Sequence, residues 1–132
     1  MRTHALRLLP GQDLRHALER VTSELQLRAG CIVSCVGSLS RARLRLAGGD
    51  EVLELEGPFE LVSLVGTLSP DGPHLHVALA DGGGRVHGGH LLAGCPIHTT
   101  AEIVIGELEG VAFTRELDPA TGWRELVVRP RS

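Results

Sequence analysis

An α+β fold is what the sequence predicts: a single domain over residues 1–132, with a largely antiparallel sheet and an N-terminal helix packed on one face. Apolar residues recur at helical spacing in one place only, between Asp13 and Arg28. From Cys31 onward the pattern changes to alternation with period two, cut into runs by Gly- and Pro-rich turns. A chain of 132 residues with 42% hydrophobic composition supports one core and is too short for two ordinary ones.

Thr3 to Leu9 forms a first strand, and Pro10-Gly11-Gln12-Asp13 turns the chain into the helix, with Asp13 placed to accept a capping N–H bond. Leu14, Ala17, Leu18, Val21 and Leu25 make one buried stripe, and the helix is expected to run to about Arg28, ended by Gly30. Cys31 to Val36 is a buried strand that Gly37-Ser38 closes. Arg41, Arg43 and Arg45 alternate with Ala42, Leu44 and Leu46, giving the next strand one arginine face and one apolar face. Gly48-Gly49-Asp50 turns it into Glu51 to Leu55, and Gly57-Pro58 breaks the chain before a long strand from Phe59 to Ser69. A histidine-rich hairpin, Thr99 to Leu108, Val111 to Leu117 and Trp123 to Arg129 complete about eight or nine strands, the last two joined by a turn over Asp118 to Gly122.

Composition excludes several functions. The net charge of −3 leaves no global cationic field for nucleic acid or anionic lipid. All 13 basic side chains are arginines, which removes lysine nucleophiles and Schiff-base chemistry. The N-terminal apolar run, interrupted by Arg7 and stopped by Pro10, is too short for a signal peptide, and no window approaches a membrane span, so a cytoplasmic protein is expected. Cys31, Cys35 and Cys95 match no paired zinc-binding spacing and are expected to be buried, reduced thiols. There is no GxSxG elbow and no P-loop, and Gly82-Gly83-Gly84 lies between strands, where it makes a turn instead of opening a helix onto a phosphate.

The chemistry concentrates in Pro73 to Leu92, which holds four of the seven histidines. His74 and His76 lie two apart on a strand and share a face, with Leu75, Val77 and Leu79 on the other. The hairpin register selects their partner. A three-residue loop of Gly82 to Gly84 pairs Asp81 with Arg85 and sets His76 opposite His90, whereas a two-residue loop brings His87 opposite Ala78. The longer loop is favoured because its glycines supply a left-handed residue and because it keeps Leu75 opposite Leu91. His74, His76 and His90 then form a three-imidazole set with an open fourth position, as in catalytic zinc sites, and Gly88-Gly89 leaves room beside it for a bound water, a ligand or another backbone. The competing reading is a hydrogen-bonded structural cluster or a wetted strand face.

Two further candidates stand outside the hairpin. Glu102 shares a strand face with Thr100 and is a candidate to orient a metal-bound water or a histidine ligand, against a plain salt bridge or solvation. Arg41, Arg43 and Arg45 offer an anion or DNA-phosphate contact, against a solvated face balanced by Glu51 and Glu54 on the neighbouring strand. With no Tyr, and Phe59, Phe113 and Trp123 scattered, no platform for stacking bases is visible.

The runs LPGQDLRHAL, VSCVGSLSRARLR and GPFELVSLVGTLSPDGPHLHVALADGGGRVHGGHLLAGCPIHTTAEIVIGEL resemble the plants-and-prokaryotes-conserved (PPC) domain, also found in plant AT-hook nuclear proteins, over nearly the whole chain. The resemblance implies a single α+β domain and a homotrimer. It also implies a metal held through the HLH and GGH histidines, which fall on His74, His76 and His90, while His87 departs from the family pattern. No Arg-Gly-Arg-Pro hook core is present, so the DNA role of the plant relatives does not transfer with the fold.

Three functions follow. The leading one is a non-enzymatic trimeric binding or regulatory domain holding Zn²⁺, another divalent transition metal or a small-molecule ligand at His74, His76 and His90. The second is a metal-dependent enzyme that uses a zinc-bound water with Glu102 as base. The third is a DNA-binding regulator acting through Arg41, Arg43 and Arg45.

Overall fold

A computed structural model describes residues 1–131. Strand β1 covers Arg2–Leu8 and helix α1 Leu14–Glu24, followed by β2 Gly30–Arg45, β3 Val52–Leu68, β4 His74–Ala80, β5 Val86–Leu91, β6 Ile97–Glu107, β7 Val111–Leu117 and β8 Arg124–Pro130. All pairings are antiparallel, and the main sheet runs β1-β6-β2-β3-β4-β5. The sheet also closes on itself, because the end of β2 pairs with β5 through Leu44↔Leu91 and Arg45↔His90. The predicted α+β class, with its antiparallel sheet and one helix near the start, is what the chain adopts.

Residues of α1 and of the sheet's inner face share one core, including Leu14, Leu18, Leu39, Leu75, Leu91 and Ile103. Asp13 joins helix to sheet. One carboxylate oxygen accepts the His16 N–H at 3.0 Å and caps the helix, and the other accepts the N–H groups of Gly94 and Cys95 at 2.7 and 2.8 Å. The segment leaving β5 is thereby tied to the helix start, close to the histidine hairpin.

Three boundaries differ from expectation. The helix ends at Glu24, short of Arg28: Gln26 takes a left-handed φ of 54°, and the chain folds back so that Leu27 is buried in the core. Gly30 does not terminate it and lies buried within β2, between Leu68 and Glu107. Gly37-Ser38 and Gly57-Pro58 do not break their strands. At Gly37 a Cβ would sit 2.1 Å from the Thr100 carbonyl oxygen, so this glycine serves the close approach of β6. Gly57-Pro58 lies where the register of β2 on β3 shifts, between Leu39 and Arg41, and is absorbed as an irregularity within one long strand.

Strands β7 and β8 form a separate two-stranded arm. The Phe113 N–H donates to the Arg28 carbonyl at 2.9 Å and the Arg115 N–H to Asp71 Oδ2 at 2.8 Å, which lays the arm against the turn before β4. Cys95 is buried, Cys31 and Cys35 are half-buried, and all three are free thiols. Burial pushes the Cys35 thiol up to about 11, which keeps it protonated and unreactive.

Replacing Asp13 with Ala strands three N–H groups, and urea unfolding is expected to show a loss of about 2 kcal/mol, with unchanged stability contradicting the anchoring role.

Candidate metal centre

The hairpin adopts the longer loop. The Asp81 N–H donates to the Arg85 carbonyl at 2.9 Å, Asp81 Oδ1 accepts from the N–H groups of Gly83 and Arg85, and Gly84 supplies the left-handed residue at φ 81°. The resulting register sets His76 opposite His90. On β4, Leu75, Val77 and Leu79 are buried in the core, so His74 and His76 project from the opposite, exposed face.

The three rings cluster tightly, with centroids 5.0 Å apart for His74 and His76, 5.2 Å for His74 and His90, and 5.6 Å for His76 and His90. Each offers a ring nitrogen, and these nitrogens all lie within 4.8 Å of one another. A tetrahedral zinc ion with Zn–N of about 2.0–2.1 Å needs nitrogens roughly 3.4 Å apart, a closure that small ring rotations supply. The donor set fits a borderline metal such as Zn²⁺ and leaves a coordination position open.

His87 is engaged elsewhere. Its Nε2 meets Asp81 Oδ2 at 3.1 Å, and its ring stands edge-on to Phe59. This contact helps hold the loop that fixes the register. The space beside His90 that Gly88-Gly89 leaves is taken by backbone: a Cβ on Gly89 would lie 2.9 Å from the Arg45 carbonyl oxygen, and one on Gly88 3.1 Å from that of Val77. The two glycines allow β5 to fit between β2 and β4.

The electrostatics favour neutral imidazoles. His90 is lowered from 6.5 to about 4, first by desolvation and then by the nearby Arg45, His74 and His76. His74 is also lowered, by desolvation ahead of Arg115 and His76, with Glu125 acting in the opposite direction. Both rings therefore hold lone pairs available to a metal at neutral pH.

Glu102 is not brought to this cluster. It sits on β6 opposite Arg7 and Val36, with β2 and β3 between β6 and β4 in the sheet order, and its carboxylate accepts the Thr100 hydroxyl at 3.3 Å. A general-base or ligand-orienting role within one chain therefore lacks the required proximity. The carboxylates that line the cavity beside His74 and His90 are instead Asp71 and Glu125. Sequence reasoning missed them because they come from a turn and from the C-terminal arm, and no local pattern ties either to the hairpin.

The arginine strand divides. Arg43 pairs with Glu54 at 3.1 Å and Arg41 lies opposite Glu56, as the charge-balanced reading of that face anticipates. Arg45 departs from them: it is the register partner of His90, and its guanidinium lies over the Trp123 ring, 5.8 Å from the centroid.

With fold and geometry in place, the family is defined. Residues 1–109 match the Plants and Prokaryotes Conserved (PCC) domain, and the chain belongs to that family, the one also abbreviated PPC. A bifunctional protein GlmU from Synechococcus sp. (strain JA-3-3Ab) is 52% identical over 126 residues, covering 96% of this chain and 20% of that protein. AT-hook motif nuclear-localized protein 27 of Arabidopsis thaliana is 33% identical over 123 residues, covering 80% of this chain and 38% of its own length. The chain thus spans about a fifth to two fifths of these relatives. Among solved structures, a hypothetical protein from Salmonella enterica superposes with a TM-score of 0.97 at 44% identity, covering 99% of this chain and 95% of its own. A protein from Archaeoglobus fulgidus described as metal-containing superposes at 0.82 with 29% identity, covering 96% and 94%.

The lowered histidines carry a pH dependence with a definite sign. Between pH 6.5 and about 4 the unfolded chain binds more protons at His90 than the folded one, so the metal-free protein is expected to lose stability as pH falls through that window. Thermal melts of the wild type and His90→Gln in chelator measure this, and an equally steep acid dependence in both contradicts the assignment.

Proposed function

We propose that this chain is a self-associating PPC-domain protein that binds a divalent transition metal, zinc foremost, through His74, His76 and His90, and serves as a binding or regulatory domain and not as an enzyme. The observation that carries the reading is the convergence of three ring nitrogens within 4.8 Å on a hairpin whose register the fold determines. The likeness to a metal-containing archaeal protein of the same fold supports it. Among the described residues no protein group hydrogen-bonds the rings of His74, His76 or His90, so their nitrogens are not committed to a partner within the chain. Glu102 lies away from the rings, which removes the enzymatic route that uses it as the base.

Trimeric assembly is supported by the family resemblance and by an aliphatic patch in which Val33, Val36, Val62 and Val65 stand exposed on the neighbouring strands β2 and β3. No helix is long and apolar enough to cross a membrane. We place the protein in the cytoplasm on the strength of its three free thiols. DNA contact through Arg41, Arg43 and Arg45 is disfavoured by the Arg43–Glu54 pair and by the net charge of −3.

Metal content separates the readings. Untagged protein prepared without a metal column is expected to carry about one zinc per chain by mass spectrometry and His76→Ala to carry little, while equal content in both contradicts the site. Light scattering is expected to give three chains per particle, and Val36→Glu with Val62→Glu to give monomer; a monomeric wild type overturns the assembly. In gel shifts at low salt, where phosphate contacts are strongest, no retardation of duplex DNA is expected, and binding abolished by neutralising Arg41 and Arg45 restores the DNA reading.

A further inference from the structure

His74 and His90 form one wall of a cavity of about 600 Å³, within the range of small-molecule sites, and the remaining walls are unusually rich in arginine. Arg15 comes from α1, Arg45 from the end of β2, Arg115 from β7 and Arg124 from the start of β8. Against these four guanidiniums stand two carboxylates, Asp71 and Glu125, leaving two positive charges before any metal is added.

The arginines are held in place mostly by neutral atoms. Arg115 Nη2 donates to Thr67 Oγ1 at 3.0 Å, Arg124 Nη2 to the Arg115 carbonyl at 2.7 Å, and Arg45 Nη1 to the Gly49 carbonyl at 3.4 Å. Arg15 Nη1 donates to the Leu91 carbonyl at 3.2 Å, and among the described residues its only carboxylate partner is the exposed Glu19, at 3.3 Å. Among the described residues no side-chain carboxylate forms an ion pair with Arg45, Arg115 or Arg124. Their guanidiniums are positioned, yet most of their N–H groups remain free for an incoming acceptor.

A dication at the three histidines adds positive charge to a wall that is already cationic, an unfavourable arrangement unless an anion occupies the space between them. A planar carboxylate suits the fork of a guanidinium, and a second oxygen on the adjacent carbon reaches a coordination position that three histidines leave open. The Trp123 ring, stacked under Arg45, and Pro73 supply apolar walls for a short carbon skeleton.

We propose that this cavity binds a small α-oxygenated carboxylate, of the α-hydroxy or α-keto acid class, with its carboxylate on Arg45 and Arg115 and its chelating oxygens toward the His74–His76–His90 metal. The inference rests on the metal reading above and adds the ligand class to it. Arg115, Trp123, Arg124 and Glu125 come from the β7–β8 arm, beyond residues 1–109 that match the family, while Arg15, Arg45, Asp71 and the two histidines lie within them, so the cavity needs both parts of the chain.

Calorimetric titration of the zinc-loaded full chain with L-malate, succinate and inorganic phosphate tests it, with zinc content measured on the same samples. Malate is expected to bind more tightly than succinate, which lacks the α-oxygen, and more tightly than phosphate. Arg45→Gln and Arg115→Gln, each checked for an unchanged melting profile, are expected to weaken malate about ten- to a hundredfold while retaining zinc. Full zinc content without malate binding, or malate binding indifferent to both substitutions, overturns the ligand inference and leaves the metal site standing. Phosphate binding more tightly than malate overturns the carboxylate class. A wild type that retains no zinc overturns the metal reading and the chelating geometry with it.

Discussion

Everything distinctive about this molecule depends on the pairing register of one hairpin. Side chains on a strand alternate between faces, and a slip of one residue between β4 and β5 carries His90 to the core side and removes the third imidazole. Two independent constraints prevent the slip. Asp81 closes the glycine loop from within, accepting two backbone N–H groups and meeting His87, while the end of β2 grips β5 from the other side through Leu44↔Leu91 and Arg45↔His90. The second grip is possible only because Gly89 leaves no Cβ in the path of the Arg45 carbonyl.

That closure also explains why the site has its particular electrostatic character. Placing Arg45 beside His90 brings a permanent positive charge to a partly desolvated imidazole, and the arm adds Arg115 near His74. Protons are disfavoured there while lone pairs remain available, which suits metal coordination. The same positive field disfavours a bare dication, so the proposed anion would offset the charge of the proposed metal in this cavity.

The hairpin was legible in the sequence because it is local. The alternation of His74, Leu75, His76 and Val77, the three glycines and the leucines to be matched across the turn are all contained in one short segment, and the structure reproduces the register they imply. The cap at Asp13 was legible for the same reason, although its second role, holding Gly94 and Cys95, joins positions far apart in the chain. What could not be read was set by long-range packing. The early end of the helix follows from the burial of Leu27 and the demand of β2 for Gly30, and the continuity of the long strands through Gly37 and Gly57-Pro58 follows from neighbours that tolerate a shift in register. Glu102 and Arg45 show the same division: sequence alternation gave each a face, but only the order of strands reveals that Arg45 meets the histidines and Glu102 does not.

The central claim, that a metal occupies the three-histidine set, is tested most directly by anomalous scattering from crystals of the untagged protein, with data collected on both sides of the zinc absorption edge. The account predicts a single peak, present only above the edge, about 2.0–2.1 Å from one nitrogen each of His74, His76 and His90. A cluster with no peak, its rings hydrogen-bonded to water or to one another, contradicts it.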